Sequence, residues 1–518
     1  MPAISSVSPS DGFSYGGTTV TLSGTGFVQG HTVVNFGTAP SPSVDVQSSS
    51  ELTAVAPPGS GTVNVTVQTP GGTTTPTSHT TFSYQPAGSY TSRAASPFTP
   101  VTPYRIADTR LGSGEPYAGQ TLDTGSVLSV KIGGTQPQGS GNGIPISATA
   151  AVINVTAVNA ASPGYLTVWP AGYSKSTSSA VNYSGTAPVA NLVTVPIGLN
   201  GQVNVYASSG PVDVVMDAEG WYGPAGTSGF TAISPYRIAD TRPDSGEPYA
   251  GQTLAPHRVL TIKTTGTGAT PANGGAGVPI TATAVDLNVT AVNAASPGYL
   301  TVWPAGQARP LASTVNFSAP PIISPVILDG NPATSSGPLP VSNSVAVAVS
   351  SSGEISIYNG SQGSINVVVD VQGWFSTPDS TSASGSSPLK FTPVNPYRIA
   401  DTRPGSDEPY AGQTLAPHGV LTIKAGGTAP LGNANGGTGI PITATAVVLN
   451  VTVATSDASG YLTVWPAGQA RPLASNTNYG KDTIIASQVV VPLGSGDSIS
   501  IYNSAGYTNV VVDVEGWF

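Results

Sequence analysis

The sequence predicts an all-β protein: one small sandwich followed by three tandem β-sandwich or jelly-roll-like repeats. Three observations carry this. Short runs rich in Val, Ile and Thr, often alternating, are broken every few residues by Gly and Pro. No window shows a capped 3.6-residue apolar period. Three long blocks of sequence recur in the same order. Gly (63) and Pro (48) make up about a fifth of the 518 residues, against roughly an eighth in an average domain. The composition is also pale: 39% hydrophobic but only 8% charged.

The first unit, residues 1–86, holds Asp11, Asp45 and Glu51 but no Lys or Arg. It runs through Ser8-Pro9, Gly16-Gly17-Thr18-Thr19-Val20-Thr21-Leu22, Gly24-Thr25-Gly26-Phe27 and Val34-Asn35-Phe36-Gly37. It closes on Val63 to Val67 and Pro70-Gly71-Gly72. This series resembles an IPT/TIG domain, which implies an immunoglobulin-like sandwich acting as an interaction or spacer module. The basic loops of DNA-binding members of that family have no counterpart here. A Ser/Ala/Gly/Pro-rich linker is expected at 87–97.

Repeat 1 is expected over 98–223, repeat 2 over 230–375 and repeat 3 over 389–518, with a linker at 376–388. Pro-Tyr-Arg-Ile-Ala-Asp-Thr-Arg begins at Pro103, Pro235 and Pro396. Glu-Pro-Tyr-Ala-Gly-Gln-Thr-Leu begins at Glu115, Glu247 and Glu408. Asn-Val-Thr follows at Asn154, Asn288 and Asn450, then Gly-Tyr-Leu-Thr-Val-Trp-Pro-Ala-Gly at Gly164, Gly298 and Gly460. Each copy ends on Gly-Trp-aromatic. All six Trp fall in these copies, two in each. The interval between them is the same in repeats 1 and 3 and longer in repeat 2, which places a surface-loop insertion near 319–340. Each copy offers seven or eight strands in about 120 residues, enough to bury a core unaided. These blocks resemble a repeat of secreted and surface proteins of actinobacteria, which implies an extracellular setting and no particular chemistry.

Composition removes several function classes. There is no Cys, so disulfides and Cys-based metal sites are out. Net charge is −9 with no basic cluster, which argues against nucleic acid. No apolar run reaches the ~18 residues of a membrane-spanning helix, so no membrane insertion is expected. No secretory signal pattern is visible at Met1-Pro2-Ala3-Ile4.

The densest recurring charge group is Arg105, Asp108 and Arg110, repeated as Arg237, Asp240 and Arg242, and as Arg398, Asp401 and Arg403. With Glu115 and Asp217 and their counterparts, it holds more than a third of the charge in the chain. Arginine recognises carboxylates through two parallel bonds, yet closely spaced opposite signs predict a structural network. Tyr165 and Trp169, Tyr299 and Trp303, and Tyr461 and Trp465 share a strand face and are candidates for stacking on sugar rings, although two large aromatics on one face also fit a core tryptophan on a central strand. Trp221, Trp374 and Trp517 are expected to be structural plugs.

No catalytic constellation assembles. The four His are His31, His79, His257 and His418, and no nucleophile elbow or zinc motif occurs. Asp217/Glu219 and Asp513/Glu515 lie two apart on one strand face, but repeat 2 has Gln372 in the second position, which weakens a glycosidase reading. The acids near Asp244/Glu247 and Asp407/Glu408 fit no calcium-loop pattern, so neither metal nor cofactor is expected. The expected function is a non-enzymatic structural and adhesive protein of an extracellular assembly, on a phage virion or an actinobacterial surface. Its partners would be its own copies or other structural proteins of that assembly. The alternative is a carbohydrate-binding array that gains avidity for envelope glycans from three weak sites.

Overall fold

The structure is a computed structural model and describes residues 1–14, 16, 18–85, 94–137, 142–267, 277–318, 339–377, 389–430 and 439–518. Most of the 87–97 linker, nearly all of the insertion expected near 319–340 and nearly all of the 376–388 linker lie outside them. The described residues form strands and turns, with one 3-10 turn at Leu199–Gly201 and no α-helix.

The N-terminal unit is a two-sheet sandwich. One sheet runs in the order Ala3–Ser8, Thr19–Thr25, Glu51–Val55, Val44–Val46. The other carries Asp11–Phe13, Thr81–Gln85, Gly61–Thr69, Val33–Phe36 and Ala39–Pro40. Alternation along Thr19–Thr25 sends Val20 and Leu22 inward. They meet Phe36 and Phe82, whose rings pack edge to face at 5.2 Å.

Each repeat is an eight-stranded antiparallel jelly roll. In repeat 1 the inner sheet runs Phe98–Asp108, Asp213–Tyr222, Ala150–Val158, Val189–Pro196. The outer sheet runs Val127–Lys131, Gln202–Ala207, Gly164–Pro170, Val181–Tyr183. Repeats 2 and 3 have the same order. Between the sheets lies an aliphatic core, with Ile153, Val155, Leu166, Val205 and Met216 fully buried in repeat 1. Ala150–Val158 is buried along its whole length, so its outward face must also be covered. The other repeats cover it.

The three repeats close into a ring. Backbone bridges join Phe98 to Ser228, Phe230 to Leu389, and Ser96 to Phe391. Around the ring's pseudo-threefold axis sits a wheel of six aromatic rings. Phe98 stacks on Phe375 at 4.2 Å, Phe230 on Phe518 at 4.5 Å, and Phe391 lies against Tyr222 at 4.4 Å. Each of these pairs bridges two repeats.

The wheel explains the Gly-Trp-aromatic ending. The final aromatic enters the hub, while Trp221 and Trp374 turn back into the cores of their own sandwiches. The Gly before the Trp leaves room for the hub ring from the first strand. A Cβ at Gly220, Gly373 or Gly516 would overlap Phe98, Phe230 or Phe391 respectively.

Candidate functional site

The seams of the ring are built from edge strands. Val189–Pro196, Val341–Ala348 and Ile485–Pro492 each end an inner sheet, and an edge strand leaves backbone N–H groups unpaired. The neighbouring repeats supply side-chain acceptors. Leu192 N donates to Asn343 Oδ1 and Gln488 N to Asn191 Oδ1. Thr194 N donates to Glu515 Oε2 and Ala346 N to Glu219 Oε2. The Asn of each Asn-Val-Thr block stitches the same seams. Asn154, Asn288 and Asn450 donate to the carbonyls of Ser313, Ser475 and Ser179 of the next repeat. Two of them also accept an amide N–H, Asn154 from Asn343 and Asn450 from Asn191, each at 2.8 Å. At the seam between repeats 2 and 3 Ser487 replaces the Asn, and Asn288 Oδ1 is buried with no partner among the described residues.

The acids on the inner sheets divide by partner. Glu219 sits at a bulge, where Val152 faces Gly220 and Ile153 faces Ala218. It turns toward repeat 2 instead of joining its own ladder. Burial pushes its carboxyl well above the ordinary range, and pushes Glu515 and Asp286 up to about 8. Asp217 instead receives Arg105 side-on, at 2.7 and 3.2 Å. Arg105 also reaches Asp108, which binds Arg110 through two side-chain bonds and one backbone bond. Burial opposes the charge on Arg105, but Asp217 and Asp108 outweigh it and raise its pKa. Burial likewise opposes the Asp108 carboxylate, but hydrogen bonds from Arg110 hold its pKa low. The same arrangement holds at Arg237/Asp240/Arg242/Asp370 and at Arg398/Asp401/Arg403/Asp513. Each triad is therefore a bonded charge network on the inner sheet, with one member, Arg110 or its equivalent, nearly half exposed.

The sugar-stacking reading of the strand Trp residues needs correction, while their core reading fits. Trp169, Trp303 and Trp465 are buried. Their indole N–H groups donate to the carbonyls of Tyr173, Gln307 and Gln469. Each ring lies under the loop that follows its own strand, so it offers no face to a sugar. Thr167, Thr301 and Thr463 on the same strand face are buried as well. Tyr165, Tyr299 and Tyr461 remain partly exposed. Each stands beside a second tyrosine, Tyr206, Tyr358 or Tyr502, at 6.2–6.3 Å between ring centres. Sequence reading missed these second tyrosines and the cations over them: Lys175 on Tyr206, Arg309 on Tyr358 and Arg471 on Tyr502, each at 3.7–3.8 Å. The signal was available, since the segment Gln307–Ser313 recurs unchanged at Gln469–Ser475 and differs only in repeat 1.

Two expected sets of residues meet across the seams rather than within a repeat. Arg105 and Arg110 of repeat 1 face Tyr299, Arg309 and Leu311 of repeat 2 in a cleft of about 320 Å³. Arg237 and Arg242 of repeat 2 face Tyr461, Arg471 and Leu473 of repeat 3 in a cleft of about 280 Å³. The third seam is filled differently. Repeat 1 carries Lys175-Ser176-Thr177 where the others carry Arg-Pro-Leu. Ser176 Oγ donates to Pro396 O at 2.7 Å, Asn395 Nδ2 donates to Ser174 O, and Arg398 Nη2 reaches Thr177 O. Repeat 1 also takes the N-terminal unit. Ser43 Oγ donates to Asp123 Oδ2 at 3.0 Å, and Pro42 lies against Gly125. His257 and His418 occupy the place of Gly125 in the other repeats, where their Nδ1 atoms lie 3.0–3.1 Å from the hydroxyls of Tyr358 and Tyr502.

No group of three His, Asp or Glu side chains among the described residues is placed to hold a metal ion. No helix among them is long and apolar enough to cross a membrane.

This geometry defines a class: a pseudo-threefold ring of jelly rolls with clefts at its seams, preceded by an immunoglobulin-like unit. Residues 2–84 match the IPT/TIG domain family, so the front unit is an IPT/TIG domain. No curated protein matches the chain. Among solved structures, it is similar to SGBP-B from a complex xyloglucan utilization locus in Bacteroides uniformis. That protein is 11% identical, with 73% of this chain and 99% of that one covered and a TM-score of 0.14. It is also similar to a protein of the triple jelly roll fold and turret assembly of an archaeal virus, at 10% identity, 82% and 90% coverage and a TM-score of 0.15. Likenesses this distant carry no argument about what the chain binds.

Proposed function

We propose that the chain is a non-enzymatic, extracellular binding protein whose ring presents seam clefts to cell-envelope glycans. One observation carries this reading: the partly exposed Tyr299 and Tyr461 each face an arginine of the neighbouring repeat across an open cleft. Such a pairing offers a flat apolar face for a sugar ring and donors for its hydroxyls. Tethering two such clefts in one rigid body raises avidity for a polymer carrying repeated units. The test is binding of the whole chain to isolated envelope polysaccharide. The Tyr299→Ala/Tyr461→Ala double variant should lose at least tenfold in affinity, and wild-type binding to no envelope fraction would defeat the reading.

A second reading is a structural and adhesive element of an extracellular assembly, a phage virion or an actinobacterial surface appendage. It draws on the fully buried aromatic hub, which makes the ring a rigid building block, and on the IPT/TIG unit attached to one repeat only. Mass spectrometry of purified particles and surface fractions tests it, and absence from both would defeat it.

A further inference from the structure

We infer that the two open clefts select anionic saccharides, chains whose sugars or linkers carry carboxylate or phosphodiester groups, and that each chain has two such sites rather than three. This deepens the glycan reading and rests on it.

Charge placement is the first argument. The chain carries −9 overall, yet six of its ten arginines line these two clefts, and no Asp or Glu lines either one. The nearest acids, Asp108 and Asp217, are about 1% exposed and already bonded to Arg105 and Arg110. What faces the cleft is cationic. Arg110 binds Asp108 through Nε and Nη2 and leaves Nη1 without a bond among the described residues. Arg309 and Arg471 are exposed, each with its guanidinium carbon over a tyrosine ring, 3.8 and 3.7 Å from the ring centre, and no carboxylate of the described residues is within ion-pair distance of either. Stacking holds a guanidinium plane while leaving its edge donors free, the arrangement that suits a carboxylate or phosphate.

Shape is the second argument. Leu311 and Leu473, 67% and 69% exposed, stand at the same clefts beside Tyr299 and Tyr461. An apolar surface beside free arginine edges suits a sugar ring bearing an anionic group better than a bare ion. The third argument is the contrast with the remaining seam. There Lys175 replaces the arginine, burial lowers its pKa, and Ser176 and Thr177 are bonded directly to repeat 3.

The test is titration calorimetry of the full chain with three probes: oligogalacturonate, its neutral methyl ester, and poly(glycerol phosphate). The expected result is two oligogalacturonate or glycerol-phosphate chains bound per protein, weakening as salt rises; whichever polymer binds identifies the source of the anion. The Arg309→Gln/Arg471→Gln variant, altered only at exposed side chains, should lose about tenfold or more while its melting temperature stays unchanged. Lys175→Gln should bind as wild type does. Equal binding of the ester and the acid, with no effect of the arginine variant, would overturn this inference and leave the glycan reading standing. A stoichiometry of three would contradict the closed third seam. Failure of all three probes at millimolar concentration, together with failure of neutral envelope glycans, would sink both readings.

Discussion

The seams joining repeat 1 to repeat 2 and repeat 2 to repeat 3 remain open, whereas the seam joining repeat 3 back to repeat 1 is bonded shut. All three rest on the same hub and the same Arg-Asp triads, so the backbone does not cause the difference. It comes from a few positions in repeat 1, Lys175-Ser176-Thr177 in place of Arg-Pro-Leu. Repeat 1 is also the repeat that holds the IPT/TIG unit. Closed and open seams thus fall to different copies of one fold.

If the seams share one hub, damage to any hub ring should cost the same. Phe98→Ala, Phe230→Ala and Phe391→Ala each remove a buried aromatic and should cost about 3–5 kcal/mol in denaturant unfolding. A much smaller loss at one of them would show that its seam is not closed as described.

The polar stitching sharpens the contrast at lower energy. Asn343→Ala and Asn191→Ala each strand a buried backbone N–H and should cost about 1–3 kcal/mol. Ser487→Ala, at the seam lacking this pair, should stay within about 0.5 kcal/mol. Ser487→Asn offers Asn288 Oδ1 its missing donor and should stabilise by roughly 1 kcal/mol.

Stability should also depend on pH, with opposite signs for two sets of acids. Glu515, Glu219 and Asp286 have pKa values raised in the folded state. Their contribution is complete below the ordinary carboxylate range and fades as pH rises through about 8, the value for Glu515 and Asp286. Asp108, Asp240 and Asp401 are held low, so their contribution is lost as pH falls below the ordinary carboxylate range. The urea midpoint should therefore be lower at pH 9 than at pH 6. Glu515→Gln copies the neutral Gln372 of repeat 2 and should shrink that drop; an unchanged drop would mean the seam acids are solvated.

Much of this was legible in the sequence. Gly/Pro punctuation and β-branched runs predicted the sandwiches, and the repeated Arg-x-x-Asp-x-Arg spacing predicted paired charges. The burial of Trp169 was not legible, because strand alternation says which face a residue takes but not what covers that face. The covering loop, Pro170 to Ala180, has no periodicity to read. Ring closure was illegible for a related reason: Asn154 meets Ser313, and Asn450 meets Ser179, across separations that no local pattern encodes. The Gly-Trp-aromatic ending carried a signal, since three matching endings that each keep a bare Gly imply a ring packed against it.

The claim that open and shut seams do different work is tested most directly by binding to envelope polysaccharide with one tyrosine removed from each seam in turn. Tyr299→Ala and Tyr461→Ala should each weaken binding several-fold, while Tyr165→Ala, at the shut seam, should leave it unchanged. Equal losses from all three substitutions, or no loss from any, would contradict the account.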